Sequence, residues 1–359
     1  MSPLIRAIID SHALRHNLRV IRARAGGARI IAVVKANAYG HGLAGTALAL
    51  DEADALAVAR LEEGLALRAA GIGRRIVLLE GVFSLAELAE AVYERLDLMV
   101  HDASQIELLH RLPEAAVRCP LWLKIDTGMN RLGFAPRDFR VALDRIRSLE
   151  PQPAEIRLVT HLACANERDD EVTRAQLARF RAVIVGLDYE LSIANSAALF
   201  GDVPTGCHWV RPGLALYGAS PFADRDAASL GLQPVMTLMS SVITVRRVAR
   251  GETVGYGGQW VAPRDSRIAI VAAGYGDGVH RSLANGAAVL MQGVRVPLVG
   301  RVSMDMLAVD VSGLEDVQVG TPVVLWGEGL PVEESARHAG TIPYELLCSV
   351  SPRVPLEPR

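Results

Sequence analysis

Between residue 10 and about residue 215 the chain repeats one pattern: a short β-branched apolar run, then an amphipathic stretch with helical period. Each repeat reads as a β/α unit, because a strand covered on both faces needs an unbroken Val/Ile/Leu run. The runs fall at 29–34 (RIIAVV), 55–58 (ALAV), 75–80 (RIVLLE), 97–100 (DLMV), 120–126 (PLWLKID), 155–161 (EIRLVTH), 190–195 (ELSIAN) and 208–212 (HWVRP). Eight units close naturally into a barrel. An open doubly wound sheet usually has fewer strands and a G-x-G-x-x-G turn after the first, and no such turn follows residues 29–34. The pattern therefore predicts a (β/α)8 TIM-type barrel over residues 10–228. Between the strands it predicts helices at 84–96, with Leu85, Leu88, Val92 and Leu96 on one face, and at 102–112, capped by Asp102 or Ser104.

Past residue 225 the character changes to alternating, valine-rich segments broken by Gly and Pro: MTLMSSVITVRRV, SRIAIVAAGYGDG, AAVLMQGVRVPLVGRVSMDMLAVDVSG and TPVVLWGEG. These predict a mainly-β C-terminal domain over 229–359, with residues 1–9 a candidate extra strand for it. At 359 residues and 50% hydrophobic content the chain can bury cores of this size. The formal net charge is −2 with both signs interspersed, which argues against nucleic-acid or anionic-membrane partners and for a small-molecule one. The N-terminus shows no export signal, and no segment has the charge-free length of a transmembrane helix. Cys119, Cys164, Cys207 and Cys348 are widely spaced with no C-x-x-C pair, so neither a disulfide framework nor a metal site is expected. A cytoplasmic protein follows from these features.

Lys35 comes directly after the first barrel strand, and so projects from the C-terminal mouth where catalytic groups of this fold collect. A desolvated lysine there is suited to forming a Schiff base with an aldehyde. On position alone a strand-end lysine snorkelling into solvent is the favoured reading. The flanking run AVVKANAYGHG changes that weighing, because it resembles the lysine motif of the alanine racemase family. The resemblance extends in order and spacing across the chain, through KIDTGMNRLGF (124–134), HLACA (161–165), NSAA (195–198), VRPGLALYG (210–218), GYGDG (274–278), GRVSMDM (300–306) and PYELLC (343–348).

The resemblance implies a fold-type III pyridoxal-phosphate enzyme that interconverts L- and D-alanine through a two-base mechanism. It implies a head-to-tail homodimer with shared active sites, the β-domain of one chain reaching the barrel of the other. Lys35 would hold the cofactor and act as one base; Tyr275 of the partner would be the other. A phenol is a poor base at neutral pH, so its surroundings must share the proton, and His161 with Arg211 behind it is the implied relay. Arg211 would face the pyridine nitrogen and donate a hydrogen bond without protonating it, so that reprotonation at Cα wins over transamination or decarboxylation.

The phosphate of the cofactor would sit at the ends of the last strands, on Asn195, Ser196, Gly213 and Leu214, with phenolic donors from Tyr39 and Tyr344. Arg131 and the Met304 amide would meet the substrate carboxylate, with Asp305 and Tyr256 at the rim. Lys124 corresponds to a lysine that carbon dioxide carbamylates in that family. The chain departs from the family at Asn166, next to Glu167, where an aspartate lines the access channel of many relatives, and at Ser303, where many carry cysteine. Rival readings are a racemase of broader specificity, a decarboxylase on the same barrel and a non-catalytic cofactor carrier. Decarboxylases place a carboxylate at the pyridine nitrogen, and a carrier has no use for Tyr275 or Met304. The resemblance implies a role in supplying D-alanine for cell-wall synthesis.

Overall fold

The structure is a computed structural model that describes residues 4–167, 171–283 and 285–359. The chain divides into two compact units: Asn17–Ala38 with Gly42–Leu216, and the residues up to His16 with Tyr39–His41 and Tyr217–Arg359. The division falls after Leu216, ahead of the composition change near 228. Residues 218–235 hold loops and one 3-10 turn (Ala228–Leu230), with no alternation to mark them.

The first strand, β1 (Arg6–Ile9), belongs to the β-rich unit. The barrel runs β2 (Arg29–Val33), β3 (Ala55–Val58), β4 (Ile76–Leu78), β5 (Asp97–Val100), β6 (Leu121–Lys124), β7 (Ile156–Val159), β8 (Glu190–Asn195) and β9 (Trp209–Arg211). Neighbours pair in parallel in chain order, and β9 pairs back onto β2 to close the ring. Strands β3, β4, β5, β6 and β9 are buried at every position, as strands between barrel interior and helices must be. All eight predicted strands are present, each trimmed by up to two residues at an end.

The helix predicted over 84–96 spans Leu85–Tyr93, capped by Ser84, whose hydroxyl accepts the Glu87 N–H at 3.1 Å. It stops early because Arg95 takes a left-handed conformation (φ 51°), so Leu96 enters the core from the turn and not from the helix face. The next helix, Ala103–Arg111, is capped by Asp102, which accepts the Ser104 N–H at 2.8 Å.

At the N-terminal end of the strands a polar and aromatic cluster fills the barrel floor. Asp97 is buried and accepts from Arg75 at 2.7 Å and from the Trp122 indole at 2.8 Å. Glu190 accepts from Arg157 and Trp209 at 2.8 and 2.9 Å and pairs with Arg29; Arg157 also pairs with Glu155 and lies 4.9 Å over the Trp122 ring. Burial lifts the Asp97 carboxyl to about 6, against the opposing pull of Arg75 and Trp122.

In the other unit, β10 (Met236–Val248) is the spine. With β13 (Ser266–Val271), β14 (Ala288–Met291), β15 (Val294–Val299), β16 (Leu307–Asp310) and β17 (Pro322–Trp326) it forms a sheet in the order β13–β16–β15–β14–β17–β10, which closes through a β10–β13 pairing. Strand β1 extends the sheet antiparallel to β10, and β18 (Leu356–Pro358) follows parallel to β1. A short hairpin, β11 (Thr253–Val254) with β12 (Trp260–Val261), stands apart.

The floor cluster yields a stability prediction. Asp97→Ala leaves the Trp122 N–H without its acceptor and removes one of the two carboxylates that Arg75 bonds, so unfolding free energy should fall by about 3 kcal/mol. A urea midpoint at unchanged slope reads it directly, and a loss below about 1 kcal/mol contradicts the buried-pair account.

Candidate active site

Lys35 begins a short turn, Lys35–Tyr39, at the C-terminal end of β2. The turn is left-handed: Ala36, Asn37, Ala38 and Tyr39 have φ of 54°, 53°, 54° and 52°. None is glycine, and a left-handed L-residue costs roughly 1–2 kcal/mol, so the segment stores several kcal/mol of strain. Other groups hold it in place. The Glu63 carboxylate accepts the Ala36 N–H at 2.6 Å through one oxygen and the Ala59 N–H at 2.9 Å through the other. The Asn37 side chain accepts the Leu43 N–H at 2.9 Å, and its carbonyl accepts the Gly42 N–H at 3.0 Å. Tyr39 is clamped by stacking on Tyr217 at 4.7 Å, with Tyr344 at 5.8 Å. Burial pushes the Tyr39 phenol far above its ordinary value and raises that of Tyr344, so both remain O–H donors at any ordinary pH.

Arg211 ends β9 and is buried. Its guanidinium donates to Ser192 Oγ at 2.6 Å and to the Thr160 carbonyl at 2.7 Å, and its Nη2 faces His161 Nδ1 at 3.4 Å. Burial lowers Arg211 to about 10, which leaves it a cation at neutral pH. An arginine can only donate, so the facing His161 Nδ1 is the acceptor and the ring proton sits on Nε2. His161 is held neutral, its pKa pushed well below the usual value by burial and then by Arg211, Lys124, Arg131 and Lys35.

Lys124 ends β6 and is also buried. Burial, then Arg211, Arg131 and Lys35, lower its amine to about 8, with Asp126 opposing. Four cations thus share one end of the barrel. The acid among them, Asp126, is engaged by its own loop: one oxygen accepts the N–H groups of Gly128, Met129 and Asn130 at 2.9, 3.0 and 3.1 Å. Arg131, on that loop, is exposed.

Ser196 opens the five-residue helix after β8, and its hydroxyl accepts the Gly213 and Ala215 N–H groups at 3.0 and 3.3 Å; Leu214 starts the 3-10 turn that follows. The Asn195 side chain caps the same helix, accepting the Ala198 N–H at 2.9 Å, and also donates to the Leu162 carbonyl at 3.3 Å. Asn166 and Glu167 pair with each other at 2.8 Å on the surface.

The barrel therefore brings together Lys35, Lys124, Arg131, His161 and Arg211, with Asn195, Ser196, Gly213 and Leu214 at its last two strand ends. Tyr39, Tyr256, Tyr275, Met304, Asp305 and Tyr344 belong to the other unit. Five of these are exposed in the chain, Tyr256 at 70%, Met304 at 54% and Tyr275 at 42% the most clearly, and Tyr39 is buried. Sequence reasoning missed Glu63 and Gln176. Gln176 donates to the His161 carbonyl at 3.0 Å and accepts the Ala163 N–H at 2.9 Å, holding the loop that carries His161. The Arg60-x-x-Glu63 spacing resembles a capping box, the one local signal available for Glu63. Among the described residues no group of His, Cys, Asp or Glu is arranged to hold a metal, and no helix is long and apolar enough to cross a membrane.

Comparison with known proteins assigns each part of this architecture. Residues 9–221 match the alanine racemase N-terminal domain and residues 235–357 the alanine racemase C-terminal domain. A barrel followed by a β-domain, each matching half of the same enzyme, defines a two-domain isomerase. The chain belongs to the alanine racemase family. It is 48% identical to an alanine racemase from Nitrosomonas eutropha over 98% of each sequence. The crystal structure of the biosynthetic alanine racemase of Pseudomonas aeruginosa superposes with a TM-score of 0.94 at 46% identity, covering 100% of both chains. That of the Bartonella henselae enzyme, described with covalently bound pyridoxal phosphate, matches at 0.90 with 30% identity, again over 100% of both chains.

Glu63→Ala tests the origin of the strained turn. Loss of one carboxylate strands the Ala36 and Ala59 amides, which should cost about 1–3 kcal/mol and speed hydrogen exchange at Ala36 by at least tenfold. Unchanged exchange at Ala36 means the turn is held without Glu63.

Proposed function

We propose that this protein racemises alanine between two opposed bases, Lys35 and Tyr275, with pyridoxal 5'-phosphate as cofactor. Four cations, Lys35, Lys124, Arg131 and Arg211, gather around one barrel end, where Asp126, the acid acting on Lys124 among the described residues, is engaged by its own loop. Such a site suits an anionic occupant, and a cofactor phosphate together with a substrate carboxylate supplies that charge. Bound pyridoxal phosphate supplies an aldehyde for a lysine amine and an electron sink that acidifies the substrate Cα–H.

The residues then divide the work. The Lys35 amine holds the cofactor and moves a proton at one face of Cα. The Tyr275 phenol moves a proton at the other face. Arg211 would be the donor to the pyridine nitrogen: buried and cationic, it would offer a hydrogen bond and keep its proton, which would favour return of a proton to Cα over decarboxylation. His161, neutral with its proton on Nε2, relays the influence of Arg211 toward the second base. Ser196, Gly213 and Leu214 would hold the phosphate and Asn195 the turn that carries Ser196; the phenols of Tyr39 and Tyr344 are the further donors that the family resemblance implies. Arg131 and the Met304 amide take the carboxylate, with Asp305 beside them.

Exposure of Tyr256, Tyr275 and Met304 supports a head-to-tail homodimer in which a second copy covers the β-domain segment bearing them. The depressed Lys124 amine supports carbamylation: its neutral form adds to carbon dioxide, releases a proton and becomes an anion that orients Arg131.

Two experiments test these roles. Lys35→Ala should lose the yellow absorbance of the cofactor adduct and racemisation of L-alanine together; a variant that keeps a borohydride-reducible chromophore contradicts the assignment. With labelled carbon dioxide at fixed dissolved concentration, a carbamate resonance should grow as pH rises through about 8, because only the deprotonated amine reacts. Lys124→Met should lack the signal, and a wild-type spectrum without it removes the carbamate.

A further inference from the structure

Tyr275 stands on a 3-10 turn, Tyr275–Asp277, that follows β13. The turn lies flat against the segment bearing Met304. The Tyr275 N–H donates to the Ser303 carbonyl at 3.0 Å and the Gly276 N–H to the Met304 carbonyl at 2.8 Å. A Cβ at Gly274 would stand 2.3 Å from the Met304 carbonyl oxygen, and one at Gly276 would stand 2.9 Å from Arg353 Nη2. Gly274 is thus required by close approach to the Met304 carbonyl, whereas at Gly276 the flexible end of Arg353 would have to give way.

Arg353 joins the two segments. Its Nε donates to Asp277 Oδ1 at 2.7 Å, and its Nη2 donates to Asp305 Oδ1 at 2.8 Å. The Asp277 carboxylate is buried, and its second oxygen accepts the Gly274 N–H at 2.8 Å, so Arg353 grips the base of the Tyr275 turn. Asp305 directly follows Met304. The Ser351 N–H donates to the Asp277 carbonyl at 3.1 Å and seats the strand of chain that presents Arg353. One planar guanidinium therefore bridges the turn that carries Tyr275 and the loop that carries the Met304 amide. A lysine, with a single charged nitrogen, spans such a pair poorly. Arg353 itself is 48% exposed, so its ion pairs contribute little to global stability.

We propose that Arg353 is a positioning residue for racemisation, locking Tyr275 and the Met304 amide into one rigid piece through Asp277 and Asp305. The inference rests on the reading of Tyr275 as the second base. Its effect is one-sided: the bonds of Arg353 run to Asp277 and Asp305, so it fixes the group acting on one face of Cα and not Lys35, which acts on the other. A displacement of about 1 Å at a reacting group can cost on the order of a hundredfold in rate.

The test uses the holoenzyme in heavy water, following deuterium entry at Cα of each alanine enantiomer separately. In Arg353→Ala, exchange of the enantiomer served by Tyr275 should fall by about 10–100-fold, while that of the enantiomer served by Lys35 stays within about threefold of wild type. Arg353→Lys should recover part of the loss, and it carries the same comparison if the alanine variant fails to fold. Equal loss for both enantiomers, or no loss, overturns the proposal. Tyr275→Phe is the control for the underlying reading and should give the same one-sided pattern. If it does not, the base assignment is what has failed, and the proposal then stands or falls on the protein alone. A 3-fluorotyrosine resonance at position 275 should broaden or shift in Arg353→Ala with or without cofactor, and an unchanged line overturns the positioning role.

Discussion

Burial of the Arg211 guanidinium governs the chemistry available at the barrel mouth. Its charge cannot be shed at neutral pH, and the protein meets it with oxygen acceptors, Ser192 Oγ and the Thr160 carbonyl, and no carboxylate. The cost of that choice is spread over its neighbours. His161 is driven neutral and Lys124 loses much of its hold on its proton, both through burial and through cations that include Arg211. A permanent donor with no carboxylate among its hydrogen-bond partners in the described residues suits a reaction in which a proton must return to carbon, and its charge would attract an anionic occupant.

The second constraint is mechanical. A left-handed turn of four non-glycine residues directly after Lys35 is expensive, and it persists because Glu63, Asn37 and Tyr217 hold it from separate directions. Such strain marks a segment whose conformation serves the site more than the fold. The barrel floor works the other way. Its ion pairs and indoles lie at the opposite strand ends, where they consolidate the closed sheet without touching the mouth.

Much of this was legible in the sequence for physical reasons. Parallel barrel strands are buried on both faces, so runs such as RIIAVV and DLMV stand out, and all eight were found. Helix ends were less visible: Leu96 fits the helical period, yet a left-handed Arg95 delivers it from a turn. Asp102 and Ser104 were indistinguishable as caps until the backbone showed which side chain accepts. At the site, motif-bearing residues such as Lys35 and Arg211 could be named because they sit at strand ends inside long recognisable runs. Glu63, Gln176 and Arg353 could not. Glu63 looks like any acid in the first turn of a helix, Gln176 like a polar helix residue, and Arg353 lies 76 positions from the aspartate it grips. Apart from the local bonds of Glu63 to the Ala59 and Arg60 N–H groups, the bonds that matter here are set by tertiary approach, which no local pattern encodes.

The proposed racemisation needs two bases, one from the barrel and one from the β-domain of a second copy, and the most direct measurement is complementation between two inactive variants. Lys35→Ala and Tyr275→Phe homodimers each lack one base at every site. In a heterodimer of the two, one site carries both lesions and the other is intact. Co-refolded and purified heterodimers should therefore recover up to about half of the wild-type racemisation rate, the two sites acting independently. Heterodimers as inactive as their parents contradict the account: both bases would then come from one chain, or Tyr275 would not be the second base.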